Sequence, residues 1–332
     1  MYPNLIVKHL VATFEKTLQQ KNYQFTLDVD VRKKKGRPLF QGYGKMIYSA
    51  EWISADTKQP EIILLKIEGA RALKEASFYV NLTRHPHVVR TFGFVLDRNN
   101  DNENDSAMLL QEYAPEGSLY ELVRERSTPI DEMILIEMFI QIIDAMIFLA
   151  YNDVVHGDLA CRNVLIFRFD ETNPKNNIVK VTDFGLRRQN ALYSTTLGSA
   201  QTVLNVIPIR YSAPEILADN SKPDYYTEKS DVYSMGVLMW EAYSRGALPW
   251  SKIQTDAEVI QNVMNSVYLP QPSSCSSKYW NAIIKTWAKL PGDRPTFEQL
   301  KRLLIEQNYL PGILKKLNLT SLSLFCLSCQ LI

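Results

Sequence analysis

Three polar side chains near the middle of the chain have the types and the spacing that a phosphoryl-transfer site needs. Asp158 lies five positions before Asn163, and Asp183 follows twenty positions after Asn163. A carboxylate can accept the proton of an attacking hydroxyl group, while an amide and a second carboxylate supply oxygen ligands to Mg²⁺. The spacing therefore predicts phosphoryl transfer, with Asp158 as the base and with Asn163 and Asp183 as metal ligands.

The residues around these side chains match known motifs. The sequence HGDLACRN at residues 156–163, followed by DFG at residues 183–185, resembles the catalytic loop and the metal-binding motif of protein kinases. Ala160 stands where Ser/Thr kinases usually carry Lys, so the loop is similar to that of tyrosine kinases. The resemblance implies an α+β fold of two lobes, the smaller rich in strands with one main helix and the larger mostly helical. It also implies that Arg162 stabilises the transferring phosphoryl group.

The composition is that of an ordinary globular protein. The chain has 332 residues, 46% of them hydrophobic and 22% charged, with a formal net charge of +1, which gives no global field for nucleic acid or a membrane surface. Four cysteines do not make a disulfide framework at this length, and Cys161 lies inside the catalytic loop, so we expect reduced thiols and a cytoplasmic location. The most apolar helical stretch, residues 133–151, is interrupted by Glu137, Gln141 and Asp144, so we expect no transmembrane segment.

Motifs in the family's order divide the chain into three parts. Residues 25–312 are expected to form the kinase domain, with the small lobe at 25–113 and the large lobe at 114–312. Residues 1–24 form an N-terminal extension with apolar residues near the spacing of a short helix, and residues 313–332 form a C-terminal tail.

The tail ends in CQLI, which fits a prenylation motif loosely because the terminal Ile is not among the usual residues. Membrane association through Cys329 is therefore an alternative, and a tail without a lipid is the default expectation.

A glycine-rich stretch resembles the loop that covers ATP in protein kinases. In that family the loop lays backbone N–H groups over the phosphates, and the sequence here is FQGYGKMIYSAEW at residues 40–52. Gly42 and Gly44 stand for the glycines, and Ile47 stands for the aliphatic residue that follows them. Either one residue is deleted, or Lys45 holds the third glycine position. A plain β-hairpin turn explains the stretch equally well.

An apolar run at residues 61–66 ends in Lys66 and is typical of a buried strand. The resemblance implies that Lys66 lies beside the α- and β-phosphates of ATP, held there by a carboxylate of the next helix. Residues 71–82 are compatible with that helix and contain Glu75, the expected partner. The link between lysine and helix is shorter than in most relatives, so Glu68 stays as the alternative partner.

The connection between the lobes is expected to follow a strand at residues 108–111. Its sequence EYAPEGSL at residues 112–119 resembles the kinase hinge, in which the backbones of Glu112 and Ala114 hydrogen-bond adenine. Gln111 then falls at the gatekeeper position, where a bulky polar side chain should narrow the space behind adenine.

The segment after Asp183 resembles a kinase activation segment. Tyr193 lies where family members carry an activating tyrosine, and we expect that it can be autophosphorylated. Gly157 stands where the family usually has an Arg that reads the resulting phosphate, so we expect little effect on activity. Arg187, Arg188 or Arg210 could partly replace that Arg.

Two contacts are expected to stabilise the large lobe. Asp231, in a helix that resembles the family's buried one, would accept hydrogen bonds from the backbone of the catalytic loop. Arg294 would pair with Glu215 of the sequence APE. Before that sequence, Pro208 resembles the proline of the tyrosine-kinase substrate shelf, and Tyr211 stands where the family usually has Trp.

The sequence thus predicts a protein tyrosine kinase that uses ATP and Mg²⁺, acts on tyrosine-bearing proteins and has no nucleic-acid partner. The expected catalytic residues are Asp158, Arg162, Lys66 and Glu75. The expected nucleotide-binding residues are Gly42, Gly44, Ile47, Lys66, Gln111, Glu112, Ala114, Asn163 and Asp183.

Two alternatives stay open. The irregular glycine loop and Gly157 favour a pseudokinase, a scaffold that lacks transfer activity and could still bind ATP; the intact lysine, base and metal ligands oppose it. A Ser/Thr or dual-specificity kinase is opposed by Ala160 and Pro208.

Overall fold

Two compact units make up the chain, Met1–Ala114 and Pro115–Ile332. The computed structural model describes, within them, residues 24–42, 44–54, 59–69, 72–82, 84–97, 106–184, 208–219 and 221–316. The side chains of residues 74, 75, 78, 223 and 308–316 are not part of this description. The predicted N-terminal helix, Tyr193 and Cys329 lie outside the described residues.

The first unit contains a seven-stranded sheet and the helix α1 (Ala72–Asn81). The strands follow the order β1-β6-β7-β5-β4-β2, and β3 pairs with β4 beside this path. The pairing of β1 with β6 is parallel, and the other pairings are antiparallel. The strands are β1 (Gln24–Thr26), β2 (Val31–Lys33), β3 (Phe40–Gly42), β4 (Lys45–Trp52), β5 (Ile62–Glu68), β6 (Thr91–Leu96) and β7 (Ser106–Glu112).

An apolar cluster covers one face of this sheet, which we call the cluster face. Buried residues of β4, β5 and β7 form its centre, because side chains alternate between the faces along each strand. On β5 the cluster takes Ile62 and Leu64, and Met108 of β7 packs against it. Lys66 lies directly opposite Met108 in the ladder, so its side chain is on the cluster face too.

The opposite face of the sheet carries α1 and is called the α1 face. Lys45 of β4 donates a hydrogen bond from Nζ to the hydroxyl of Tyr79 in α1, at 3.1 Å. Ile67 lies opposite Lys45 in the ladder, so Ile67 shares that face. Lys66 and Ile67 are neighbours along β5, and their side chains therefore point to opposite faces.

The second unit is mainly helical, with a two-stranded sheet formed by β8 (Val164–Arg168) and β9 (Ile178–Val181). The helices are α2 (Leu119–Glu125), α3 (Glu132–Tyr151), α4 (Pro214–Ala218), α5 (Glu228–Tyr243), α6 (Asp256–Met264), α7 (Ser277–Thr286) and α8 (Phe297–Lys316).

Helix α3 is long and apolar enough to cross a membrane by length and composition alone. Within its most apolar stretch, 67% of the residues are buried inside the protein. Among them is Gln141, whose side chain bonds the carbonyl of Asn177 at 2.8 Å and the N–H of Val179 at 3.0 Å. Such burial is typical of a core helix, and a helix of this composition is weak evidence for a membrane span.

Helix α5 lies at the centre of the second unit, with all residues from Ser230 to Tyr243 buried. At Gly236 it approaches the end of α7 so closely that an added Cβ would lie 1.9 Å from Oγ1 of Thr286 and 2.7 Å from Nε1 of Trp287. Neither atom can move freely, because both residues are buried. The glycine therefore sets the distance between the two elements.

We expect Gly236→Ala to lower the free energy of unfolding by about 1–3 kcal/mol, because overpacking forces buried side chains out of place. Gly292→Ala is the matched control, since a methyl group there would meet no described atom within 4 Å. Urea denaturation followed by tryptophan fluorescence measures both variants. Equal midpoints for the two would contradict the close approach of α5.

Candidate active site

The segment 156–163 is anchored through its backbone to the buried carboxylate of Asp231 in α5. Oδ2 of Asp231 accepts the N–H of His156 at 2.7 Å, and Oδ1 accepts the N–H of Gly157 at 2.9 Å. Burial raises the pKa of Asp231 to about 7, while the two N–H donors act to lower it. The predicted contact between Asp231 and the loop backbone is confirmed.

Gly157 adopts a left-handed backbone conformation, with φ of +74°. Glycine reaches this region without the steric cost that a side chain brings. Gly157 therefore lacks the positive charge of the family's usual Arg, and it adopts this φ without the steric cost that a side chain would bring.

The uncharged ring of His156 joins the catalytic loop to the end of the strand before Asp183 through two hydrogen bonds. Its Nδ1 accepts the N–H of Asp158 at 3.2 Å, and its Nε2 lies 3.0 Å from the carbonyl of Thr182, so the tautomer with hydrogen on Nε2 satisfies both contacts. Burial lowers the pKa of His156 to about 4, which keeps the ring uncharged at neutral pH.

The carboxylate of Asp158 is held by two side chains of its own loop. Arg162 Nη2 lies 2.6 Å from Oδ1, and the amide nitrogen of Asn163 lies 3.3 Å from Oδ2 and 2.7 Å from the Asp158 carbonyl. The side chain of Asp158 is half-buried and can still reach a substrate. A carboxylate fixed in this way can accept a proton at a defined position.

Arg162 is itself positioned by an aromatic ring. Its guanidinium lies 5.2 Å from the ring centroid of Tyr211, whose hydroxyl donates to Glu241 at 2.8 Å. The other oxygen of Glu241 accepts the N–H of Cys161 at 2.9 Å. Burial raises the pKa of Glu241, and these donors act to lower it. The sequence reading missed this role of Glu241, although a carboxylate at the end of an apolar helix was a signal for it.

Asn163 and Asp183 are the expected metal ligands, and the backbone connects them. The N–H of Thr182 donates to the carbonyl of Asn163 at 3.0 Å, which places Asp183 directly after this contact. Asp183 has a φ of +59°, an uncommon conformation for a residue with a side chain. The amide nitrogen of Asn163 is used within the loop, so this residue offers its oxygen to a metal. Carboxylate and amide oxygens suit Mg²⁺.

The glycine stretch forms a hairpin between β3 and β4. Gly42 lies opposite Lys45 in the ladder that joins the two strands. Gly44 has φ of +74°, a left-handed conformation that glycine adopts at little steric cost, and its carbonyl accepts the N–H of Glu68 at 2.8 Å. The hairpin tip is therefore tied to the end of β5.

Lys66 forms an ion pair with Glu68, at 2.7 Å between Nζ and Oε1. The two residues are two apart on β5 and share the cluster face, whereas Glu75 belongs to α1 on the opposite face. The strand register therefore points the side chain of Lys66 away from α1, whereas an ion pair with Glu75 would require it to point towards that helix. The pair that forms is the alternative that the sequence left open.

Gln111, the expected gatekeeper, lies on the α1 face because it is opposite Ile63 on β5. It is 3% exposed, and its amide nitrogen donates to the hydroxyl of Thr91 at 2.9 Å. Glu112 follows at the end of β7 and donates its N–H to the carbonyl of Arg90 at 3.1 Å. Ala114, half-buried, ends the first unit.

Arg210, one of the residues expected to read a phosphate, holds a loop instead. Its guanidinium donates to the carbonyls of Pro249, Trp250 and Ile253 at 2.8 to 3.1 Å. These bonds hold the guanidinium against that loop, and the role of Arg210 as a reader of phosphate stays a prediction. Residues 187 and 188 lie outside the described part of the chain.

The predicted pair of Arg294 and Glu215 is confirmed. Both guanidinium Nη atoms lie 2.7 Å from the two carboxylate oxygens, and Arg294 is 2% exposed. The remaining donors are used as well, in bonds to the carbonyls of Ala288, Lys229 and Lys289.

Comparisons with known proteins agree with this geometry. A family described as protein tyrosine and serine/threonine kinase matches residues 35–304. The chain is 32% identical to the human tyrosine-protein kinase FRK over 69% of its length, and 34% identical to the human non-receptor tyrosine-protein kinase TNK1 over 70%. It is 33% identical to the tyrosine-protein kinase csk-1 of Caenorhabditis elegans over 71%.

These relatives are longer proteins, of which the matched region spans 42%, 32% and 40% respectively. The family match covers most of the chain, including the strand-rich first unit and the helical second unit that the fold class predicted. The chain belongs to the protein tyrosine and serine/threonine kinase family.

Proposed function

We propose that the chain transfers the γ-phosphoryl group of ATP, with Mg²⁺, to tyrosine hydroxyl groups of protein substrates. The observation that carries the proposal is the Asp158 carboxylate, which Arg162 and Asn163 hold in the position of a base. Support for tyrosine comes from Ala160 in the loop and from the relatives, whose names describe them as tyrosine kinases. The name of one of them includes "non-receptor", which supports a cytoplasmic location.

In the proposed reaction the substrate hydroxyl oxygen forms a bond to the γ-phosphorus while the bond from that phosphorus to ADP breaks. The hydroxyl proton passes to Asp158, and Arg162, 2.6 Å from Asp158, stabilises charge on the transferring group. Asn163 and Asp183 would hold Mg²⁺, which when bound neutralises charge on the phosphate oxygens. The protein's part is positioning and electrostatics.

A pseudokinase is the second candidate, and one observation favours it. In the glycine hairpin Lys45 pairs directly with Gly42, and Lys66 faces away from α1, so the motif-matched phosphate site is altered. The base and the metal ligands in the second unit oppose it, because a scaffold has no need for them.

One experiment separates the candidates. The purified chain is incubated with Mg-ATP and a mixed pool of tyrosine, serine and threonine peptides, and the phosphorylated residues are identified by mass spectrometry. We expect phosphotyrosine, absent with Asp158→Asn. Phosphoserine or phosphothreonine alone would contradict the tyrosine assignment, and no transfer by a folded chain would favour the pseudokinase.

The gatekeeper assignment of Gln111 gives a further prediction. Gln111→Gly removes a side chain of the α1 face that is 3% exposed, so we expect ATP analogues with bulky N6 groups to become substrates or inhibitors. Thr91→Val is the matched control, because it removes the hydroxyl partner of Gln111 without opening the space. Inhibition constants of such analogues test this. Unchanged constants for Gln111→Gly would place the hinge at another register.

A further inference from the structure

We propose that Lys45, at the tip of the glycine hairpin, is the cation that binds the nucleotide phosphates, in place of Lys66. The ligand class is a nucleoside triphosphate, and in this respect the inference rests on the proposed function. It departs from the motif match, which assigns that role to the lysine at the end of β5.

The two lysines occupy opposite faces of the sheet. Two other side chains of the first unit are expected near the nucleotide, Ile47 and Gln111, and both lie on the α1 face because they oppose odd-numbered residues of β5 in the ladder. Lys45 is two residues before Ile47 on β4 and shares that face. Lys66 lies on the cluster face. A nucleotide that touches Ile47 therefore meets Lys45.

Lys45 is held in place by a buried tyrosine. Its Nζ lies 3.1 Å from the hydroxyl of Tyr79 and 5.6 Å from the centroid of that ring, and Tyr79 is 1% exposed. A half-buried ammonium on a fixed partner loses little further side-chain entropy when a phosphate binds.

The strand register prevents the two lysines from exchanging faces. Turning Lys66 to the α1 face requires β5 to slip by one residue, which moves every side chain of the strand to the other face. Ile62 and Leu64 would leave the cluster of which they are buried members. The ladder with β4 on one side and with β7 on the other holds β5 in this register, so Lys66 stays beside Glu68, in a partly exposed pair of the kind that contributes little to stability.

The test compares binding of Mg-ATP with binding of adenosine by titration calorimetry, in wild type, Lys45→Met, Lys66→Met and Lys45→Arg. Adenosine lacks phosphates, so it reports whether the rest of the site is intact. Because a charged hydrogen bond is worth about 1.5–3 kcal/mol, we expect Lys45→Met to weaken ATP at least about tenfold and adenosine less than about twofold. Lys66→Met should change neither by more than about twofold, and Lys45→Arg should keep most of the preference for ATP.

Selective loss of ATP affinity in Lys66→Met, with Lys45→Met like wild type, would overturn the inference. Equal ATP and adenosine affinities in wild type would overturn it too. Peptide phosphorylation is measured on the same preparations. If wild type shows the Lys45-dependent preference but transfers nothing, the inference stands and the kinase proposal fails. If wild type transfers phosphate and Lys45→Met transfers it equally at limiting ATP, the kinase proposal stands and the inference fails.

Discussion

Replacement of Asp158 by Asn is expected to lower the phosphotransfer rate by about a hundredfold or more, which is the usual contribution of a positioned general base. Asn keeps the shape of the side chain and can still face Arg162, which lies 2.6 Å from the carboxylate, but it cannot accept the proton. Because the base contacts the substrate hydroxyl, affinity for ATP should change by less than about twofold. Steady-state kinetics with a tyrosine peptide, together with ATP titration, measures both quantities.

The variant Asp183→Asn tests the metal ligand, and unlike Asp158→Asn it should weaken the binding of ATP as well. It removes the charge of a metal ligand, so both the transfer rate and the Mg²⁺-dependent part of ATP affinity should fall. Thermal unfolding shows whether both variants are folded. Transfer at the wild-type rate by either purified variant would contradict the assignment of the site.

Arg294→Met is expected to lower the free energy of unfolding by about 3–5 kcal/mol, the usual cost of removing one partner of a buried ion pair. The carboxylate of Glu215 would remain nearly buried without its cation, and three carbonyls would lose a donor. The contacts join the first turn of α4 to the segment before α8, so the loss should lower the stability of the second unit. Urea denaturation measures the effect.

The exposed pair Lys222 and Asp219 provides the control for this prediction, since its atoms lie 3.5 Å apart with both side chains in solvent. Lys222→Met should leave the unfolding midpoint where it is in wild type. The double variant Arg294→Met, Glu215→Leu should recover part of the stability, because it removes the carboxylate as well. A double variant as unstable as Arg294→Met would show that the lost carbonyl contacts, rather than the ion pair, dominate.

The helical second unit was the more predictable part. Motifs such as HGDLACRN and APE carry several chemically constrained residues in a row, and their long-range partners Asp231 and Arg294 occur in motifs as well. Both predicted contacts are present in the structure. The link from Tyr211 to Glu241 was not predicted, because no local pattern joins side chains thirty positions apart.

The sequence could not predict on which face of the sheet the side chain of Lys66 lies, and the reason is physical. Residues 62–65 before it are all buried, so the strand lacks the alternation that tells one face from the other. Pairing between strands decides the matter, and the register with β4 and β7 places Lys66 on the cluster face. The contacts of Arg210 could not be predicted for a similar reason, since the carbonyls that it binds lie about forty residues later.

The alternation of side chains along β5 also affects which substitution should be chosen to make an inactive variant for experiments in cells. A motif match suggests Lys66→Met as the inactive version for use as a negative control. If Lys45 binds the phosphates, as proposed, that variant keeps the Lys45 ammonium beside Tyr79 and still binds nucleotide, so it should not serve as an inactive control. Asp158→Asn is the sounder choice, because it removes the base and leaves the first unit unchanged.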